Sequence, residues 1–186
     1  QAGTAVQKAF LKTDSIGKLL VLDLPFERYR ARKIRIKLEI DITPPAGSTF
    51  TTSYITFPVT APLTTQSLES GLALKVHALL CRSYVKGSDW YDFVWYVARG
   101  TRPDLDLLRH VLRQQGPWAG QQITMTMRWV RDKMEAAIRR IDWTAAREDV
   151  RRFLPLREQE GIRAWSADFF SYQLARLSDD TEERTS

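Results

Sequence analysis

The residues Gly71-Leu-Ala-Leu-Lys-Val-His-Ala-Leu-Leu-Cys-Arg-Ser-Tyr-Val-Lys-Gly-Ser-Asp-Trp-Tyr-Asp92 read as a helix, a break and a second helix. Leu72, Val76, Leu79 and Leu80 recur at helical spacing, which sets Lys75 and Arg82, seven apart, on nearly the same side. Gly87 predicts the end of this helix, and Ser88 predicts the N-cap of a second one whose first turn carries Asp89. Asp89 and Asp92 are i and i+3 and share a helix face. Cations closing one helix and carboxylates opening the next make a corner able to handle a charged ligand. The helix pair alone favours the plainer alternative, with Lys75 and Arg82 solvated and the aspartates serving the helix dipole.

Upstream, the apolar period changes to two. Ile34, Ile36, Leu38, Ile40 and Ile42 alternate with Lys33, Arg35, Lys37, Glu39 and Asp41, so a strand over 32–42 puts the apolar set on one face. Glu39 and Asp41 stand side by side on the other. An antiparallel strand with one solvated face explains this, and the residues alone favour it. The alternative is an acidic pair for Mg²⁺, with cations such as Lys37 close enough for a polyphosphate. Pro44-Pro45-Ala46-Gly47 must end the strand. The β-rich segment 50–59 can return beside it, and Pro62 leads into the first helix. Residues 4–24 carry short apolar groups punctuated by Gly17 and Pro25, like part of a domain begun upstream.

Downstream, Phe93, Val94, Tyr96 and Val97 continue the second helix until Gly100 and Pro103. Helices are then predicted over 104–114, 124–140, 144–154 and 164–177, with Asp142 capping the third, and the polar residues 179–186 read as a flexible tail. Between Arg128 and Arg157 nine cations stand against five acids. This surplus fits a phosphate backbone as well as it fits helices laced by pairs such as Glu135 with Arg139 and Glu148 with Arg152. Trp118, Trp129, Trp143 and Trp165 read as core rather than as base-stacking platforms.

Composition bounds these readings. The chain has 186 residues, 44% hydrophobic, with 28 Lys and Arg against 22 Asp and Glu and a net charge of +6. It is long enough for a sizeable core, and its basic balance favours an anionic partner. One cysteine excludes an internal disulfide and any multi-cysteine zinc site, and two histidines argue against a histidine-rich metal site. No apolar run is long enough to cross a bilayer, so the cytoplasm is the expected compartment and no membrane partner is expected. The chain opens on Gln1, which suggests a fragment.

Together, Ile36-Lys-Leu-Glu-Ile-Asp41, Pro44-Pro-Ala-Gly47, Leu74-Lys-Val-His-Ala-Leu-Leu-Cys-Arg82 and Lys86-Gly-Ser-Asp-Trp-Tyr-Asp92 resemble the nucleotidyltransferase AbiEii/AbiGii toxin family. Asp142-Trp143, Asp149-Val-Arg-Arg-Phe153 and Trp165-Ser166 extend the resemblance through the C-terminal half. It implies an α+β fold: the remainder of a polymerase-β-like nucleotidyltransferase sheet in residues 1–66, followed by a helical C-terminal domain in 67–178. It also implies a toxin–antitoxin or phage-defence protein that transfers nucleotides from an NTP to RNA, such as a tRNA 3′ end, with Mg²⁺ as cofactor and an antitoxin as partner. By similarity, Glu39 matches the family's third acidic residue, Lys75 its helix lysine, and Asp89 and Asp92 its Arg-Asp-x-x-Asp motif. Lys37, Arg82 and Lys86 would then bind substrate phosphates, and Glu39 and Asp41 the metal.

Two departures qualify the resemblance. The first family motif, Gly-Gly-Thr or Gly-Ser followed by Asp-x-Asp, is not found: Gly3-Thr4 is followed by no such pair, and Asp14 and Asp23 are isolated. Ser88 also stands where the family usually has Arg. The main metal ligands are therefore expected upstream of residue 1, with this chain the C-terminal portion and inactive alone. Two other functions stay open: a non-catalytic module that binds RNA or antitoxin, and a metal-dependent nuclease built on Glu39, Asp41, Asp89 and Asp92.

Overall fold

The computed structural model describes residues 6–11, 36–41, 45–57 and 60–177. Contacts divide the chain into two compact units, Gln1–Pro44 and Pro45–Ser186. Among the described residues the fold mixes two small antiparallel sheets with seven α-helices and one 3₁₀ turn.

In the first unit, β1 (Val6–Leu11) pairs with β2 (Ile36–Asp41), Val6 opposite Asp41 and Leu11 opposite Ile36. The strand predicted over 32–42 is present over its central six residues; 32–35 and 42 lie outside the described residues.

The second unit begins with a hairpin, β3 (Phe50–Ile55) against β4 (Ala61–Gln66), with Phe50 opposite Gln66 and Ile55 opposite Ala61. The expected return of 50–59 beside 32–42 is thus corrected, because β3 takes its nearest sequence neighbour as partner. The sequence reading passed over β4 because of Pro62. A two-stranded ladder has only edge strands, where proline is tolerated. Hydroxyl groups tie the hairpin to the helices: the Thr49 N–H donates to Ser70 Oγ at 3.0 Å, and Thr49 Oγ1 lies 2.6 Å from Ser67 Oγ.

Helix α1 (Leu68–Cys81) is capped by Ser67, whose hydroxyl accepts the Ser70 N–H at 3.1 Å. It ends at Cys81, earlier than predicted, and Gly87 opens the next helix instead of closing this one. Helix α2 (Gly87–Ala98) therefore does not use Ser88 as its cap. The Gly87 N–H donates instead to Asp149 Oδ2 at 2.9 Å, so a carboxylate from a distant helix does the capping. Glycine is required there by close approach: a Cβ on Gly87 would lie 2.0 Å from the Ala146 carbonyl oxygen.

The remaining helices are α3 (Leu105–Gln114), α4 (Met127–Ile138), α5 (Trp143–Arg151), α6 (Leu156–Gln159), a 3₁₀ turn (Gly161–Ala164) and α7 (Ala167–Arg176). Asp142 caps α5 as predicted, accepting the Thr144 and Ala145 N–H groups. Leu72, Val76, Phe93, Leu107, Leu108, Val130, Met134, Ile138 and Phe170 are fully enclosed and form one core. Trp90 is also enclosed, packed edge-on against Trp143 and Phe170, while Trp143 stacks on Phe170 with ring centres 4.2 Å apart. This aromatic group anchors the first turn of α2.

Candidate functional site

Helices α1 and α2 pack side by side, and their polar residues meet along the seam. Lys75 Nζ lies 2.8 Å from Asp89 Oδ1 and 2.8 Å from Asp92 Oδ2. Arg82 Nε lies 2.8 Å from Asp89 Oδ2. Its N–H direction misses the oxygen, so this contact is charge attraction without a directed hydrogen bond. Position in the fold explains the arrangement. Asp89 precedes the core residue Trp90 and is drawn in with it, leaving its side chain 2% exposed. A carboxylate so enclosed needs partners, and Lys75 and Arg82 supply both. Asp92, one turn on, is about half exposed. The alternative of solvated cations and dipole-serving aspartates is therefore replaced by a paired cluster.

The electrostatics follow from this enclosure. Burial pulls the Lys75 ammonium pKa down, but the hydrogen bonds and charges of Asp89 and Asp92 more than offset it and leave it above the ordinary lysine value. Lys75 is thus a firmly protonated, part-exposed cation, suited to stabilising an anion and unsuited to acting as a base. Tyr96 joins the group unforeseen. Gly71 lies one turn before Lys75, and a Cβ there would come within 2.4 Å of the Tyr96 hydroxyl. Burial raises the Tyr96 phenol pKa, the Lys75 charge lowers it and the Asp92 charge raises it, with a net rise. The i, i+4 spacing of Asp92 and Tyr96 was the signal available in the sequence.

Beside the cluster opens a groove of about 510 Å³, lined by Arg82, Tyr84, Lys86, Asp89, Trp118 and Arg140 among others. Arg82 donates to the Tyr84 hydroxyl.

The nucleotidyl transferase AbiEii toxin family, of type IV toxin–antitoxin systems, matches over residues 6–170. This chain belongs to the AbiEii family. No curated protein and no solved structure matches it significantly. The AbiEii match spans both compact units, so the strand bearing Glu39 and the helices bearing Lys75 and Asp89 fall within one family domain.

Of the predicted site residues, the structure brings together Lys75, Arg82, Asp89 and Asp92, and it places Lys86 in the adjoining groove. Lys37, Glu39 and Asp41 belong to the other unit, on β2. Among the described residues no group of three or more His, Cys, Asp and Glu is placed to hold a metal ion. The Lys75 cluster does not fit one, since cations already occupy both carboxylates. One Asp-x-Asp triplet, behind Gly100-Thr101, escaped the sequence reading: Asp104-Leu105-Asp106. It starts a helix, for Asp104 caps α3 through the Leu107 N–H at 2.9 Å and Asp106 pairs with Arg109 at 2.8 Å.

The basic C-terminal half is partly neutralised. Arg139 pairs with Glu135 as predicted, whereas Arg151 takes Glu148 and Arg152 takes Asp149, at i+3 rather than i+4. Trp143 and Trp165 pack into the core, and Trp118 and Trp129 meet edge-on at its margin. Among the described residues no helix is long and apolar enough to cross a membrane.

Proposed function

We propose that this chain contributes the phosphate-handling part of a nucleotidyltransferase toxin that moves nucleotides from an NTP to an RNA acceptor such as a tRNA 3′ end. The observation that carries the reading is the Lys75 ammonium, held protonated and part-exposed between two carboxylates within a chain of this family. Nucleotidyl transfer asks mainly for positioning and charge stabilisation, and a pre-set ammonium provides both for a triphosphate. In this reading Lys75 neutralises phosphate charge. Asp89, enclosed and paired with two cations, positions Lys75 and Arg82 rather than touching substrate. Asp92, the more exposed partner, yields Lys75 to the incoming phosphate. Arg82, Lys86 and Lys37 contribute further positive charge.

Mg²⁺ belongs to the proposal for the active enzyme, where it would supply charge neutralisation at the phosphates and would lower the pKa of the attacking hydroxyl. Glu39 and Asp41 on β2 are its residues in this chain. Glu39 either completes the metal site or accepts a proton. We further propose that 1–66 and 67–178 act as the end of a polymerase-β-like core and a helical domain, in the cytoplasm, alongside a cognate antitoxin. With no free Asp-x-Asp pair, the isolated chain is proposed to be inactive. The test is labelling of tRNA from radioactive NTPs. In a preparation that transfers, the Lys75→Ala variant, with unchanged circular dichroism, no longer labels tRNA; full labelling by that variant removes the assigned role. Incorporation by the isolated chain removes the requirement for the acidic pair.

A second reading, a non-catalytic module that holds RNA, is favoured by the cationic groove beside Asp89. Salt-dependent tRNA binding without transfer would establish it.

A further inference from the structure

The groove between the α1–α2 connection, the turn at Pro117-Trp118 and the end of α4 extends beyond the Lys75 cluster, with which it shares Arg82 and Asp89, and its chemistry differs from the cluster's. Within the cluster two cations balance two carboxylates. The groove adds Lys86 and Arg140, neither of which has a carboxylate partner among the described residues; Arg140 Nε donates only to the Ala136 carbonyl, at 3.0 Å. Its single acid, Asp89, is already doubly paired. Aromatic rings line the same groove: Tyr84, 62% exposed, and Trp118, half-buried against Trp129. At about 510 Å³ the space suits a nucleotide-sized group.

We infer that this groove is a binding site for single-stranded RNA, taking about two nucleotides, with bases against Tyr84 and Trp118 and phosphodiesters at Lys86 and Arg140. Two isolated cations match two singly charged phosphodiesters. A metal-bound triphosphate usually takes a carboxylate as well, and the groove's one acid is already paired with two cations. Aromatic faces beside backbone-tracking cations are the usual means of holding a single strand without reading its sequence. The groove shares Arg82 and Asp89 with the cluster, so an RNA end held here lies against the residues that handle phosphate. The inference rests on the nucleotidyltransferase reading only for calling that end the acceptor; the binding itself stands apart.

The test uses the full chain and a fluorescent single-stranded RNA oligomer of mixed sequence, with affinity read by anisotropy across salt. The double variant Lys86→Gln/Arg140→Gln is expected to lower affinity about ten-fold or more and to flatten the log–log salt slope by about 1.4. Tyr84→Ala, at an exposed position that does not threaten folding, is expected to weaken binding about five-fold with the salt slope unchanged. ATP binding should be unaffected in Tyr84→Ala. Unchanged oligomer affinity in Tyr84→Ala and in the double variant would overturn the groove. Loss of ATP binding in step with RNA in Tyr84→Ala would assign the groove to the triphosphate instead, and would overturn the inference equally. Transfer activity separates the two readings. Transfer with unaltered RNA binding in the variants removes the groove alone, whereas impaired binding in a protein that never transfers removes the transferase reading and leaves the groove.

Discussion

The α1–α2 seam and the β3–β4 hairpin invert the usual relation between composition and burial. The seam is built from Lys75, Arg82, Asp89 and Asp92, yet it encloses Asp89 almost completely. The hairpin and its flanks, from Pro45 to Gln66, contain no charged residue, yet Tyr54 and Phe57 stand 70% and 80% exposed. Neighbours cause the difference. Asp89 is tied in sequence to Trp90, and the aromatic group around Phe170 pulls both inward. The hairpin packs through Thr49, Ser67 and Ser70, and no described residue of its own unit covers its outer rings. Burial thus follows from what each segment is linked to, more than from its own hydrophobicity.

The contrast can be broken by mutation. Asp89→Ala leaves the part-exposed Arg82 without its carboxylate and Lys75 with Asp92 alone, and should cost about 1–3 kcal/mol in urea unfolding. A loss below 1 kcal/mol would mean the seam is solvated after all. Gly87→Ala pushes a methyl into the Ala146 carbonyl and should cost about 1–3 kcal/mol, together with a loosened α2 start seen as faster amide exchange at Asp89 and Trp90. Ser67→Ala removes the cap of α1 and one hairpin anchor, for about 0.5–2 kcal/mol. Thr52→Ala, in the exposed face of the hairpin, should stay within about 0.5 kcal/mol.

Titration sharpens the same contrast. The folded pKa of Lys75 is raised, so the stability it contributes is complete below the unfolded lysine value near 10.4 and is lost as pH rises through the higher folded value. Tyr96, also raised, acts in the same direction above about pH 10. His77 has the opposite sign. Burial lowers its pKa, the Gln115 carbonyl raises it and the Arg82 charge lowers it again, for a net fall. Its contribution is therefore complete above about pH 6.5 and fades as pH falls through the folded value. A thermal-melt series across pH should decline at both ends, while amide shifts of the hairpin stay flat between them, since the segment from Pro45 to Gln66 carries no charged residue.

Much of the helical half was legible beforehand. The helices from 104 onward follow from apolar periodicity and from caps such as Asp104 and Asp142, which are local signals. The errors share a cause in contacts across long separations. Gly87 looks like a stop until Asp149, sixty-two residues away, is seen accepting its N–H. Pro62 looks like a connector until β3 supplies a ladder with open edges. At the site, helical spacing placed Lys75, Arg82, Asp89 and Asp92 on two faces, but no spacing shows that those faces meet. Tyr96 and the groove stayed hidden for the same reason, because Tyr84, Trp118 and Arg140 converge only through the packing of α1 against α4.

The charge-free hairpin carries a practical corollary for mapping this molecule by proteolysis. Between Lys37 and Lys75 there is neither lysine nor arginine, so trypsin passes over the most exposed segment of the second unit. Phe50, Tyr54 and Leu63 instead offer that segment to chymotrypsin, making the choice of protease a switch between reporting on the hairpin and reporting on everything around it.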